Sequence, residues 1–221
     1  MAINSQIEEN YLKTIFMISR TESKPVSTSA IADELGVQSA SVTDMIKKLS
    51  SKGLISYKKY YGVELSDSGK KEAVRIIRNH RLWEVFLAEK LGFGWGDVHE
   101  IAEQLEHVRN DELTEKLDAF LGYPEYDPHG DPIPDKSGSI QQRATTLLQD
   151  LKVGQEGIIL GVKDDSREFL SYLDHNNLIL KKKIAVEEKL GFDNSMKIRV
   201  DDKSIYVSEK TSSNILVSIK N

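Results

Sequence analysis

Between Ser27 and Leu65 the chain carries a series of local signals in an order that few folds satisfy. STSAIADEL begins with capping residues and runs into a short helix that Gly36 stops. After the turn GVQ, Ser39 or Ser41 caps a second helix, SVTDMIKKLSSK, which Gly53 ends. LISYKKYYGVELSDSGK then alternates, is rich in Tyr, Ile and Val, and has Gly62 at the tip of a hairpin. Upstream, residues 7–20 place Ile7, Tyr11, Leu12, Ile15, Phe16 and Ile18 at helical spacing. Helix, short helix, turn, helix and two-stranded hairpin is the plan of a winged helix-turn-helix.

Beyond the hairpin, Ser66 or Asp67 caps a long helix, and helical spacing continues to Leu121 through KKEAVRIIRNHRLWEVFLAEKLG, WGDVHEIAEQLEHV and DELTEKLDAFLG. YPEYDPHGDPIPDKSG follows. It holds all but one of the 5 prolines, so it reads as a linker or an extended wrap. From about Leu148 the period changes to two. EGIILGVK, LILKKKIAVEEK, MKIRVDD, SIYVSEK and NILVSIK are short alternating stretches between turn residues, with one helix in SREFLSYLDHNN. This is the pattern of a small antiparallel SH3-like β-barrel. The fold class expected is mainly α with small β. A winged helix-turn-helix spans 1–72, a helical domain 73–140, a linker 141–147, and an SH3-like domain 148–221.

Bulk properties bound the function. The net charge is −5, which argues against a generally sticky nucleic-acid binder, but DNA binding needs only a local positive face. Met45 to Val63 supplies one: Lys47, Lys48, Lys52, Lys58 and Lys59, with no acid among them. There are no cysteines, so a metal site here must use imidazole, carboxylate, amide or backbone oxygen. No apolar run approaches the ~20 residues of a membrane span. The polar, acidic start lacks a secretion signal, so a cytoplasmic location with no membrane partner is the expectation.

Three of the 5 histidines fall between positions 80 and 107, each with carboxylates at helical spacing. His80 and Glu84 are four apart and share a helix face. His99, Glu103, Glu106 and His107 project, on a continuous helix, within roughly a third of a turn of one another. A single His/Glu pair at this spacing is ordinarily a solvated surface pair. Two sets so close together, the second set amid Val98, Ile101, Ala102, Leu105 and Val108, are better explained by a divalent cation that compensates buried ligands. An enzymatic reading finds no HExxH pair, no duplicated Glu/ExxH pattern, no Ser/His/Asp set and no phosphate loop, so the chain is read as not an enzyme. A winged-helix regulator that is blind to metal and responds to another effector is the alternative, with a His/Glu metalloenzyme behind it.

EENYLKTIF, IADELGVQSASVTDMIKKLSSKGLI, NHRLWEVFL, VHEIAEQLEHVRNDELTEKL and HGDPIP together resemble the diphtheria toxin repressor family of iron- and manganese-dependent regulators, in its long form with a C-terminal SH3-like domain. The resemblance implies a repressor of metal-uptake and metal-homeostasis genes that binds double-stranded operator DNA as a homodimer when Mn²⁺ or Fe²⁺ is bound. It implies one metal site from Asn10, Glu103, Glu106 and His107. A second comes from His80, Glu84 and His99, completed by Asp164 or Asp165. Glu103 stands where the iron-sensing branch has cysteine, which favours Mn²⁺; Zn²⁺ and Co²⁺ are expected to bind in vitro. Asn10, a neutral amide where methionine or aspartate is usual, supplies no charge. DNA contacts are expected from Gln38, Ser39, Ala40, Ser41, Thr43, Asp44, Lys47, Lys48, Lys58 and Lys59, with Tyr60 and Tyr61 on the wing. Trp83, Val85, Phe86, Leu87 and Leu91 offer a dimer surface or an intrachain core.

Overall fold

A computed structural model describes residues 4–21, 25–58, 60–141, 143–164 and 166–219. The chain divides into two compact units. The first comprises residues up to 80, with 104–110 and 134–139; the second comprises 81–103, 111–133 and 140 onward. One dividing point, between His80 and Arg81, falls inside a long helix.

In the first unit, α1 (Gln6–Thr21), α2 (Thr28–Leu35), α3 (Ser39–Ser51), β1 (Ile55–Lys58) and β2 (Gly62–Leu65) follow the expected order. Ser27 caps α2 by accepting the amide of Ala30 at 3.1 Å, and Gly36 ends it in the left-handed conformation. β1 and β2 pair antiparallel from Ile55↔Leu65 to Lys58↔Gly62. Gly62 is obligatory there: its φ is 116°, and a Cβ would lie 2.7 Å from the carbonyl of Val26, which bridges to Val63. Leu12, Ile15, Ile31, Val42, Ile46, Leu49 and Val63 form the core. Of the apolar positions read on α1, Tyr11, Leu12, Ile15, Phe16 and Ile18 pack into or against it, and Ile7 is exposed.

The long helix α4 (Asp67–Leu91) begins where Ser66 accepts the amide of Gly69 at 3.1 Å. In the second unit its later half packs through Leu82 and Val85 against Leu117 of α6 (Asp111–Phe120) and against Ile133, with Trp83, Phe86 and Leu121 beside them. Of the residues read as a dimer surface or a core, Val85 and Leu87 are buried within the chain. Trp83 and Phe86 are half-buried, and Leu91 is exposed.

Helix α5 (Val98–Leu105) is shorter than its sequence pattern. It stops before Glu106 and His107, which lie in a turn. Asn79 holds this turn by donating to the carbonyls of Glu106 (3.1 Å) and Val108 (3.3 Å), which a continuing helix would use itself. The stripe expected from His99 to His107 is thus broken. Glu106 and His107 fall in the first unit, and His99 and Glu103 in the second.

The C-terminal part of the second unit is a six-stranded antiparallel sheet. It is built from β3 (Thr146–Leu147), β4 (Glu156–Val162), β5 (Lys183–Lys189), β6 (Met196–Val200), β7 (Lys203–Val207) and β8 (Ile215–Ile219) in the order β3-β8-β4-β5-β6-β7. Helix α7 (Arg167–His175) inserts Phe169, Leu170 and Leu173 into its core beside Ile159, Ile198 and Val217. SIYVSEK is not wholly strand: Ser208 accepts the amide of Thr211 and starts the short helix α8 (Glu209–Ser212). The proline-rich segment is irregular, with one isolated bridge between Tyr126 and Pro132. No helix among the described residues is long and apolar enough to cross a membrane.

Candidate functional site

Two carboxylate–imidazole clusters occur, one in each unit. In the second unit Glu84 on α4 is buried, with His99 Nδ1 at 3.2 Å and His129 Nδ1 at 3.5 Å from its Oε1. Asp127 is buried beside them. Glu84, Asp127 and His129 each offer a donor atom, and the three atoms lie within 4.8 Å of one another. Asp127 Oδ1 accepts the amides of His129 (2.8 Å) and Asp131 (2.9 Å), which folds its loop, while Oδ2 faces Arg81 Nε at 3.5 Å. Gly130 makes the loop possible. With φ at 89° and the carbonyl of Leu160 only 1.9 Å from an added Cβ, no side chain fits there. His129 Nε2 donates to the carbonyl of Trp95 at 3.1 Å, and the two rings stack. That bond fixes the ring's orientation, leaving Nδ1 turned toward Glu84.

Much of the positive charge beside this cluster sits on imidazoles. Burial pushes the Asp127 carboxyl up, and the neighbouring charges of Glu84 and Asp131 push it further. Burial pulls His129 down, but the hydrogen bond and charge of Glu84 outweigh it and lift the imidazole to about 9. Hydrogen bonds to Glu103 and Glu84 lift His99 to about 10. Protons on these rings therefore act as positive charge among buried carboxylates. Two carboxylates and an imidazole, with no sulfur, are a hard donor set that suits a first-row divalent cation.

In the first unit, Glu106 is fully buried. Lys13 Nζ reaches both its oxygens at 2.8 and 2.9 Å, and His80 Nδ1 lies 2.6 Å from Oε2. Burial raises its carboxyl, but the His80 hydrogen bond and the Lys13 charge prevail and lower it. His107 Nδ1 lies 2.5 Å from Glu9 Oε2, and its Nε2 is 3.7 Å from Glu106 Oε1. Glu9 Oε1 is also held by Arg75 at 2.8 Å and by Arg109.

Of the residues expected to ligate metal, Glu106, His107 and His80 come together in the first unit, and Glu84 and His99 in the second. Asn10 is exposed on α1. Glu103 is half exposed, 3.6 Å from His99 Nε2. Asp164 accepts the amide of Ser166 at 2.9 Å ahead of α7; Asp165 lies outside the described residues. Sequence reasoning missed Glu9, Lys13, Asp127 and His129. The Asp-x-His spacing inside the proline-rich segment was the available signal for the last two.

Gln38, Ser39, Ala40, Ser41, Thr43, Asp44, Lys47 and Lys48 are all exposed along α3 and its start. Lys47 pairs with Asp44 at 3.2 Å, and Lys48 with Glu8 at 3.3 Å. Lys58 is exposed on β1, Tyr60 and Tyr61 project from the hairpin tip, and Lys59 lies outside the described residues.

Three family models match: the iron dependent repressor N-terminal DNA binding domain over residues 5–63, the iron dependent repressor metal binding and dimerisation domain over 66–135, and the FeoA domain over 146–219. An uncharacterized HTH-type transcriptional regulator of Methanocaldococcus jannaschii is 35% identical over 117 residues, covering 53% of this chain and 94% of its own. A solved manganese-dependent transcriptional repressor in complex with manganese superposes with a TM-score of 0.82 at 30% identity, covering 96% of this chain and 100% of that one. The chain belongs to the diphtheria toxin repressor family. Its match to the diphtheria toxin repressor of Corynebacterium jeikeium is 32% over 126 residues and spans about half of that protein (52%), and 57% of this chain. The family's members are metal-dependent transcriptional repressors, not enzymes.

Proposed function

We propose that this chain is a metal-dependent repressor that binds operator DNA as a homodimer in the cytoplasm and controls metal-ion uptake, with Mn²⁺ favoured over Fe²⁺. The observation that carries the reading is the buried set Glu84, Asp127 and His129, whose donor atoms lie within 4.8 Å of one another and whose charge is balanced in part by exchangeable protons on His99 and His129. Removing carboxylates from water without compensating charge is costly, and a divalent ion supplies two positive charges at that point. Glu84, Asp127 and His129 would hold it, with His99 placed against Glu84. Glu106, His107 and His80 in the first unit would ligate only with Lys13 displaced from Glu106, and Asn10, Glu103 and Asp164 remain proposed contributors. With no thiolate in the chain, selectivity leans to hard cations; Zn²⁺ and Co²⁺ are expected to load in vitro.

In this reading residues 1–72 read DNA, 73–140 bind metal and dimerise, and 148–221 form the FeoA-type domain. Helix α3 enters the major groove by its N-terminal end, where Gln38, Ser39, Ala40, Ser41 and Thr43 lie free of the core. Lys47, Lys48, Lys58 and Lys59 neutralise phosphate. Exposed Leu91, Phe93 and Phe120 in the second unit are apolar surface that a second copy would cover. The repressor is active in whichever arrangement metal binds more tightly, so DNA affinity and metal affinity are linked. The test is binding of the protein to its own upstream DNA at fixed salt, with chelator and with Mn²⁺, Fe²⁺, Co²⁺ or Zn²⁺. Affinity should rise at least ~100-fold with Mn²⁺ or Fe²⁺, the upper part of the usual range of coupling. Equal affinity with and without metal overturns the proposal.

A further inference from the structure

The buried carboxylates of the first unit already have a full complement of side-chain cations. Glu9 and Lys13 are four residues apart on α1, on one face. Lys13 sits across both oxygens of Glu106, at 2.8 and 2.9 Å. Arg75 and Arg109 share Glu9, and each also reaches Glu72, at 3.3 and 3.5 Å. Three carboxylates therefore face three permanently charged groups, with His80 and His107 against them. The contrast is with Glu84 and Asp127, where Arg81 reaches Asp127 at 3.5 Å and the rings of His99 and His129 face Glu84.

We propose that Lys13 is a tethered cation that occupies the Glu106 carboxylate where a metal ion would otherwise bind, so that this cluster secures α1 without metal. A divalent ion entering it must take Glu106 oxygens from the ammonium and adds two charges to a set already balanced. The ammonium is a compact point charge and carries a high effective concentration because it is tethered. It is only 19% exposed and Glu106 1%, so their attraction is weakly screened by salt. A free ion at micromolar concentration competes poorly with it. The inference rests on the metal-dependent reading for its reference site, the Glu84/Asp127/His129 set, and the experiment separates the two.

The test is Mn²⁺ stoichiometry by equilibrium dialysis on the full chain, with wild type, Lys13→Gln, Lys13→Arg and the double variant Lys13→Gln/Glu106→Gln. The expected result is one ion per chain in wild type and Lys13→Arg, two in Lys13→Gln, and one again in the double variant. In chelator, Lys13→Gln should also melt below wild type, and Mn²⁺ should restore more of its stability than it adds to wild type. Wild type binding two ions, or Lys13→Gln binding no more than wild type, overturns the inference and leaves the metal-dependent reading standing. Lys13→Gln binding one ion where wild type binds none supports the inference and removes the Glu84 site. No binding by either ends both. Should Lys13→Gln not fold, the wild type decides alone: Mn²⁺ must broaden the imidazole resonances of His129 well before those of His107, and simultaneous broadening overturns the proposal.

Discussion

The two clusters use the same side chains for opposite ends. Around Glu106 and Glu9, the chain's own lysine and arginines neutralise the carboxylates, and the result is a structural joint. Around Glu84 and Asp127, neutralisation is left to Arg81 and to protons held on His99 and His129. A proton is a labile charge that a metal ion can replace; a guanidinium, which does not give up its proton in a protein, is not. Responsiveness therefore depends on which positive charges are exchangeable. Counting histidines and glutamates does not distinguish the two cases, because both clusters have them.

The sharpest break between the clusters is the cost of losing a carboxylate in the metal-free protein. Glu106→Ala strands Lys13 and His80 in a buried setting and should destabilise by about 3–5 kcal/mol in urea with chelator present. Asp127→Asn keeps an oxygen for the amides of His129 and Asp131 while removing a charge beside Glu84, so its metal-free stability should stay within roughly 1 kcal/mol of wild type. Equal losses would erase the distinction. With metal the ranking inverts: Asp127→Asn or His129→Ala should weaken Mn²⁺ binding by roughly 100-fold, about 2.7 kcal/mol, in a calorimetric titration. A variant His129→Ala that binds Mn²⁺ as wild type does would remove that ring from the ligand set.

Most of the DNA-reading half was legible because each of its signals is local. Ser27, Gly36, Gly53 and Gly62 mark ends and turns that the structure places where the residues say. The family resemblance held over residues 5–63, 66–135 and 146–219 for the same reason: its motifs keep their order. The sites were less legible. The resemblance put Asn10 forward on α1, yet one residue is about 100° of helix, and Glu9 is the buried one. The stripe from His99 to His107 assumed an unbroken helix, and only the fold reveals Asn79 taking the carbonyls that end it. Asp127 and His129 sit in a loop with no period, positioned by Gly130 against β4, so nothing in their spacing points to Glu84.

The smallest expected effect, and the most discriminating in sign, is the pH response of the metal-free protein. In the second unit, His99 and His129 are lifted above the ordinary 6.5, to about 10 and about 9. Their contribution is complete below pH 6.5 and is lost as pH rises through 9 to 10. In the first unit, the carboxyl of Glu8 is raised by burial but lowered more by Lys52, the Ser5 amide and Lys48, to about 2. Its contribution is complete above pH 4.5 and is lost as pH falls toward 2. Both tryptophans, Trp83 and Trp95, lie in the second unit, and Trp95 stacks on His129 at 6.0 Å between ring centroids. Tryptophan fluorescence in chelator should therefore titrate on the alkaline side. Mn²⁺ should abolish that titration, because loading displaces the imidazole protons, and it should acidify an unbuffered solution at pH 7. Metal uptake without proton release would mean that His129 and His99 are not the exchangeable charges, and that the two clusters differ in something other than who holds their protons.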